Sequence, residues 1–361
     1  MKNLKKIMIA CLIFAFGTSA FAINSGLRVG SAATLMDDSY YYMNLVDWEK
    51  LSFDKFYGFT AINSTDSINL FAAQKVKDGN LLAYSYDGNL WTKNGYNDFS
   101  VFYGFGKMAL KFDLGLDETT TDATEDATEP YTIWAPAVSF GMDVSDKFAF
   151  TTGLGLASSK IETEQTFLGE TYTITDKYSN VSLFANGYYN IKNTDKLFAQ
   201  AIFGYSGNFD KTVVDIEGAD PTEAKTNSNS FFFGAEMQYK PTSVFTYAMK
   251  FTFPRFTTYT RADETTYSTL AFSVNNGFMV ELKPNKFFTS FGIATTLPSF
   301  TFEKDVDTVK GALTNTYYLG MAVNLAPQIR LDGRCTITPT KGISMETIFQ
   351  QALSLSLTAK F

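Results

Sequence analysis

The sequence has no histidine in 361 residues, only two cysteines, and no run of about 20 consecutive apolar residues beyond position 22. Each absence excludes a class. Without an imidazole there is no Ser-His-Asp relay, no Cys-His pair and no H-E-x-x-H zinc site, which leaves carboxylates as the only common acid-base groups. Without a long apolar run, no helix can cross a bilayer. Phosphate-loop chemistry is absent too. Gly104-Phe105-Gly106-Lys107 lacks the spacing and the following Ser or Thr, and Gly153-Leu154-Gly155 opens no helix. No cofactor is implied, and no metal site.

What is abundant is aromatic. Thirty-five Phe and twenty Tyr coexist with a mean hydropathy of only -0.07. Apolar rings are therefore offset by Thr, Ser, Asn and Gly, and so aromatic a composition argues against disorder.

Residues 1–22 read as an export signal: Lys2, Lys5 and Lys6 precede an apolar stretch from Ile7 to Gly17, and Ala20-Phe21-Ala22 offers a small-x-small cleavage site. A lipoprotein signal ending at Cys11 is the competing reading, with too few apolar residues before it to serve. Cleavage after Ala22 leaves Cys335 as the only cysteine, so no internal disulfide is expected. It also removes three lysines, taking the formal charge from -7 to -10, a balance that disfavours nucleic acid as a partner.

From residue 53 onward the chain alternates apolar and polar residues with period two, the pattern of strands with one apolar face. At the C-terminus Leu353, Leu355, Leu357, Ala359 and Phe361 alternate with Ser354, Ser356, Thr358 and Lys360. Sixteen candidate strands follow from 53–62 to 352–361. Short turns at 143–147, 192–196, 240–244, 283–286 and 326–328 interleave with long polar connections at 117–130, 162–170, 210–228, 257–266, 303–314 and 339–350. Short turns on one side and long loops on the other, with strands of about ten residues, predict an all-β fold: a transmembrane antiparallel up-and-down β-barrel of about 14–16 strands. A soluble β-sandwich is the alternative, although its strands would be shorter. The barrel would occupy 53–361, and 23–52 would form a periplasmic extension or a plug in the lumen.

The terminal strand resembles the C-terminal recognition strand of Gram-negative outer-membrane β-barrel proteins. That resemblance implies an outer-membrane location, outer-membrane lipid as surroundings, and the barrel-assembly machinery as a partner reading Leu353, Leu355, Leu357, Ala359 and Phe361. Enzymes of that class need a histidine, so no enzyme is expected here. Gly30-Ser31-Ala32-Ala33, with Asp37-Asp38-Ser39-Tyr40 and Asn44 after it, is similar to the N-terminal segment of the long-chain fatty-acid transporter family. That family continues Asn-Pro-Ala, where this chain has Asn44-Leu45-Val46.

Strand parity turns Glu236, Lys250, Glu281, Arg330, Asp332, Arg334 and Lys360 toward the lumen. These are the candidate pore-lining charges, with Glu236 and Lys250 expected as diagonal neighbours across the turn at 240–244. Arg330, Asp332 and Arg334 stand out because the chain has only five arginines. The lumen-side Gly153, Gly155, Ala157, Gly234, Gly292, Ala294, Gly320 and Ala322 either leave room for a solute or relieve bending strain. The loop 117–130 carries six acids and no base, and reads as a solvated loop more than a cation site. The expected function is a porin-like passive channel for small hydrophilic solutes. The alternatives are a hydrophobic-solute transporter of the fatty-acid type and a surface adhesin or structural barrel.

Overall fold

The computed structural model describes residue 45 and residues 55–63, 67–89, 95–119, 131–167, 170–217, 219–263, 265–283, 286–303, 306–310, 313–337 and 353–360. The signal at 1–22, the 30–44 resemblance, nearly all of 23–52, Phe361 and most of the acidic loop lie outside them.

Eighteen strand segments form one sheet that returns on itself. In chain order they are β1 Phe56–Asn63, β2 Ser67–Lys75, β3 Leu81–Asn89, β4 Gly95–Phe105, β5 Met108–Thr119, β6 Tyr131–Asp143, β7 Phe148–Phe167, β8 Glu170–Asn193, β9 Leu197–Ile216, β10 Thr222–Thr242, β11 Phe245–Thr260, β12 Thr266–Lys283, β13 Phe287–Thr296, β14 Ser299–Glu303, β15 Val306–Lys310, β16 Thr314–Ala326, β17 Ile329–Ile337 and β18 Leu353–Lys360. Each pairs antiparallel with its neighbours, and β1 closes the cylinder on β18 from Tyr57↔Lys360 to Asn63↔Ser354. Both β13 and β14 pair with β12, one above the other, so β14 prolongs β13 past Leu297 and Pro298; β15 likewise runs on into β16. Counting each interrupted pair once leaves sixteen staves. The even number and the terminal closure agree with the barrel expected from the alternation.

Alternate residues face out and in. The outward set is apolar and exposed, with Phe112 at 54%, and includes Leu110, Val138, Leu156, Phe203, Phe231, Phe251, Met321, Leu331, Leu355 and Leu357. A cylinder presenting that face to water would expose far more apolar surface than soluble proteins carry; facing lipid, it needs no cover. Among the described residues the β1–β18 pairing closes the sheet around the apolar belt, as the bilayer interior demands of backbone groups.

The predicted long loops are mostly strand. β7 to β12 continue through much of 162–170, 210–228 and 257–266, ending in tips as short as 261–265. These stretches lose strict alternation yet remain rich in Thr, Val and Tyr, which suit extended backbone. Beyond the lipid both faces can be polar, so a hairpin can go on pairing without an amphipathic pattern. The short turns lie at the opposite end, where Gly106, at a φ of 52°, turns β4 into β5.

Candidate channel lumen

The inner wall carries an apolar seat and several sets of fixed polar groups. The seat is built by β1 to β5, whose inward residues Tyr57, Phe71, Ala73, Leu81, Ala83, Phe102 and Ala109 form one buried cluster. Leu45, which precedes the first strand, completes it at 2% exposure. A residue of the 23–52 segment therefore lies inside the barrel. Gly141 on β6 makes room for it: a Cβ built there would stand 2.2 Å from the Leu45 carbonyl oxygen, closer than any real contact.

Beside the seat sits a buried charge set that the sequence reading did not single out. On β5 the Lys111 ammonium lies 2.7 Å from Asp113, with both side chains more than nine-tenths covered. Ser100 on β4 donates to the same Asp113 oxygen at 2.5 Å. Lys111 and Asp113 line one cavity with Asp98, Ser139, Ser182, Phe184 and Leu45. Charges removed from water to this degree need partners, and Asp113 has two.

A third set lies on β8 to β12. Glu236, 2% exposed, pairs in register with Gln200 on one side and Lys250 on the other. Gln200 donates to Asn190 at 2.9 Å. The two charges face each other directly and are not diagonal. The cause is the hairpin: β10 runs to Thr242, which pairs with Phe245 across Ser243 and Val244. A bulge then sets Lys240 and Pro241 against Thr246 alone, so that Tyr239 meets Tyr247 and Glu236 meets Lys250. Above this set Ala149, Tyr188 and Ile202 pack with Phe232. Higher still, Asp210 accepts from Tyr178 and, at 2.7 Å, from Asn180.

The remaining pore candidates lie on β12, β17 and β18. Arg330 donates through Nε to Asp332 at 2.9 Å, and its guanidinium lies 5.2 Å from the centre of the Phe288 ring. Phe288 is the register partner of Glu281. Arg334 pairs with Gly320 and Ser354, and Lys360 with Tyr57. The candidates thus share the inner face by register but form separate local groups, with β13 and β16 between those on β10 to β12 and those on β17. Arg255, inside by its bond to Ser230 at 3.1 Å, was missed.

The small inward residues are not uniformly open space. A Cβ on Gly153 would meet the Phe184 ring at 2.3 Å and the Ser139 hydroxyl at 2.7 Å, and one on Gly155 would meet Ser182 at 2.6 Å. At these two positions glycine accommodates neighbours that fill the wall, so the reading of empty solute space is corrected there. Of the proposed assembly strand, Leu355 and Leu357 face outward and are exposed.

Neither a family model nor a curated protein sequence matches this chain. Solved structures similar to it include the CymD monoaromatic hydrocarbon channel, at 7% identity and a TM-score of 0.41 over 93% of this chain and 94% of that one. The Ralstonia pickettii toluene transporter TbuX is similar at 9% identity and a TM-score of 0.40, over 92% of each chain. A Pseudomonas aeruginosa FadL homologue reaches 11% identity and a TM-score of 0.47 over 93% of this chain and 96% of that one.

Proposed function

We propose that the protein is an outer-membrane channel for small apolar solutes, with part of residues 23–52 acting as its plug. One observation carries this reading. Leu45 is buried inside the barrel against Tyr57, Phe71, Leu81 and Phe102, on a wall that gives up a side chain at Gly141 to admit it. A solute that takes the place of Leu45 enters an apolar seat, and burying an aliphatic side chain there is worth roughly 1.5–3 kcal/mol to either occupant. A hydrophilic solute gains nothing from that exchange. Glu236, Lys250, Glu281, Arg330 and Asp332 support the second reading, a channel for hydrophilic solutes, because they keep other parts of the inner wall polar.

Planar-bilayer conductance and uptake of an apolar fluorophore into vesicles separate the two. The intact chain should give rare or no stable current steps while admitting the fluorophore. Gly141→Val, which forces the Leu45 backbone off the wall, should raise the frequency of open steps. Large stable steps from the intact chain, unchanged in Gly141→Val, would overturn the apolar reading in favour of the open channel.

A further inference from the structure

The outer wall carries a charged feature that the lumen does not use. At the long-loop end of β7 to β10, Lys160 pairs in register with Lys177, and Lys211 with Lys225. Lys177 is the partner of Val213, two residues from Lys211, so the two lysine pairs are diagonal neighbours across β8 and β9. All four share the parity of Leu156, Val181, Phe209 and Phe231, which are exposed on the lipid face. They therefore point outward. The nearest apolar row beneath them, Leu156↔Val181↔Phe209, lies only two residues down each strand from the row of Ser158, Ser179 and Lys211. Trp134, exposed in the row of Ser158, Ser179 and Lys211 through its pairing with Ser158, adds the aromatic that marks a membrane interface.

Like charges directly opposite on a sheet repel. Two carboxylates pair with the lysines: Glu162 contacts Lys160, and Glu223 reaches Lys211 at 2.8 Å and Lys225 at 2.7 Å. Asp215, of the same outward parity, is a diagonal neighbour of Lys177, so four ammonium groups against three carboxylates leave one positive charge unbalanced. The geometry points to a binding site for a phosphorylated lipid of the outer leaflet, its acyl chains along Leu156, Val181, Phe209 and Phe231 and its phosphates among Lys160, Lys177, Lys211 and Lys225. Height, direction and charge agree. The lysines begin where the apolar belt ends, they face the lipid and not the lumen, and a phosphate between two cross-strand ammonium groups converts their repulsion into two charge-assisted contacts.

The test uses the full-length barrel in detergent, titrated with diphosphorylated lipid A and with its dephosphorylated form, binding being read by native mass spectrometry. The diphosphorylated lipid should bind, and the dephosphorylated form much more weakly. Lys177→Gln with Lys211→Gln should weaken binding about 30-fold, as expected for two lysines at an anionic surface. The control pair Lys147→Gln and Lys196→Gln, in turns at the opposite end, should leave it unchanged. Heat-modifiable migration of each variant verifies that the barrel has formed. Equal binding of both lipids, equal loss in the control pair, or complete displacement by an equal concentration of inorganic phosphate would overturn the site.

Discussion

Glu236 and Lys250 stand directly opposite one another on the inner face of β10 and β11, one residue pair in a register that runs unbroken from Gly234 to Tyr239. Their coupling is measurable. Glu236→Gln and Lys250→Met should each destabilise the barrel to urea in lipid vesicles, and the double variant should lose less than the sum by about 1 kcal/mol. Strict additivity would mean that the two groups do not sense each other across the strands.

The Lys111 and Asp113 pair makes a stronger demand, because both side chains are almost wholly covered. Lys111→Met leaves a buried carboxylate with Ser100 as its remaining donor partner here and should cost about 3 kcal/mol. Replacing both, as Lys111→Met with Asp113→Leu, should restore most of that loss. A double variant as unstable as the single one would show that the pair matters through packing and not through charge.

Acid sensitivity is expected at the tip between β11 and β12. Asp263 accepts from the Thr265 hydroxyl at 2.6 Å and from its backbone N–H at 3.1 Å, and these bonds hold its carboxyl below the ordinary carboxylate range. A depressed folded value contributes order above the unfolded pKa and loses it as pH falls through the lower, folded value. The Asp263 resonance should therefore titrate below the usual carboxylate range, and Thr265→Ala should move its midpoint upward. An unmoved midpoint would assign the depression to neighbouring charge such as Arg261.

Assembly is tested at the other end of the chain. Deleting Phe361 should lower the amount of barrel reaching the outer membrane, as judged by fractionation and heat-modifiable migration. Leu357→Asp, which puts a charge on the lipid face of β18, should cost up to a few kcal/mol depending on its depth. Undiminished membrane yield from the Phe361 deletion would remove that residue from the recognition strand.

Much of this was legible because the β-period is two and a closed barrel enforces it. The alternation that turns Glu236 inward also turns Lys111 and Asp113 inward, between Leu110, Phe112 and Leu114, so that pair could have been read from the sequence. Arg255 could not. A bulge between Thr252 and Arg255 sets Phe253 and Pro254 against Phe233 alone, and the inward parity of β11 changes from even to odd at that point. The place of Leu45 was equally hidden, since nothing in an isolated leucine ahead of a strand says which side of a wall it will occupy. The nearest sequence signal was Gly141, an inward glycine in a strand, which marks the close approach of another backbone.

The seam between β1 and β18 bears on the order of folding. Nearly all other pairings join strands that follow closely in the chain and can form as successive hairpins, whereas this one joins residues about 300 positions apart and carries the largest loop-closure entropy. The wall that holds Leu45 is made by β1 to β6, the first part of the barrel to be synthesised. Leu45 can thus be captured on an open, curved sheet before the last strand arrives, and closing the seam then locks it inside without any need to thread it through a finished cylinder.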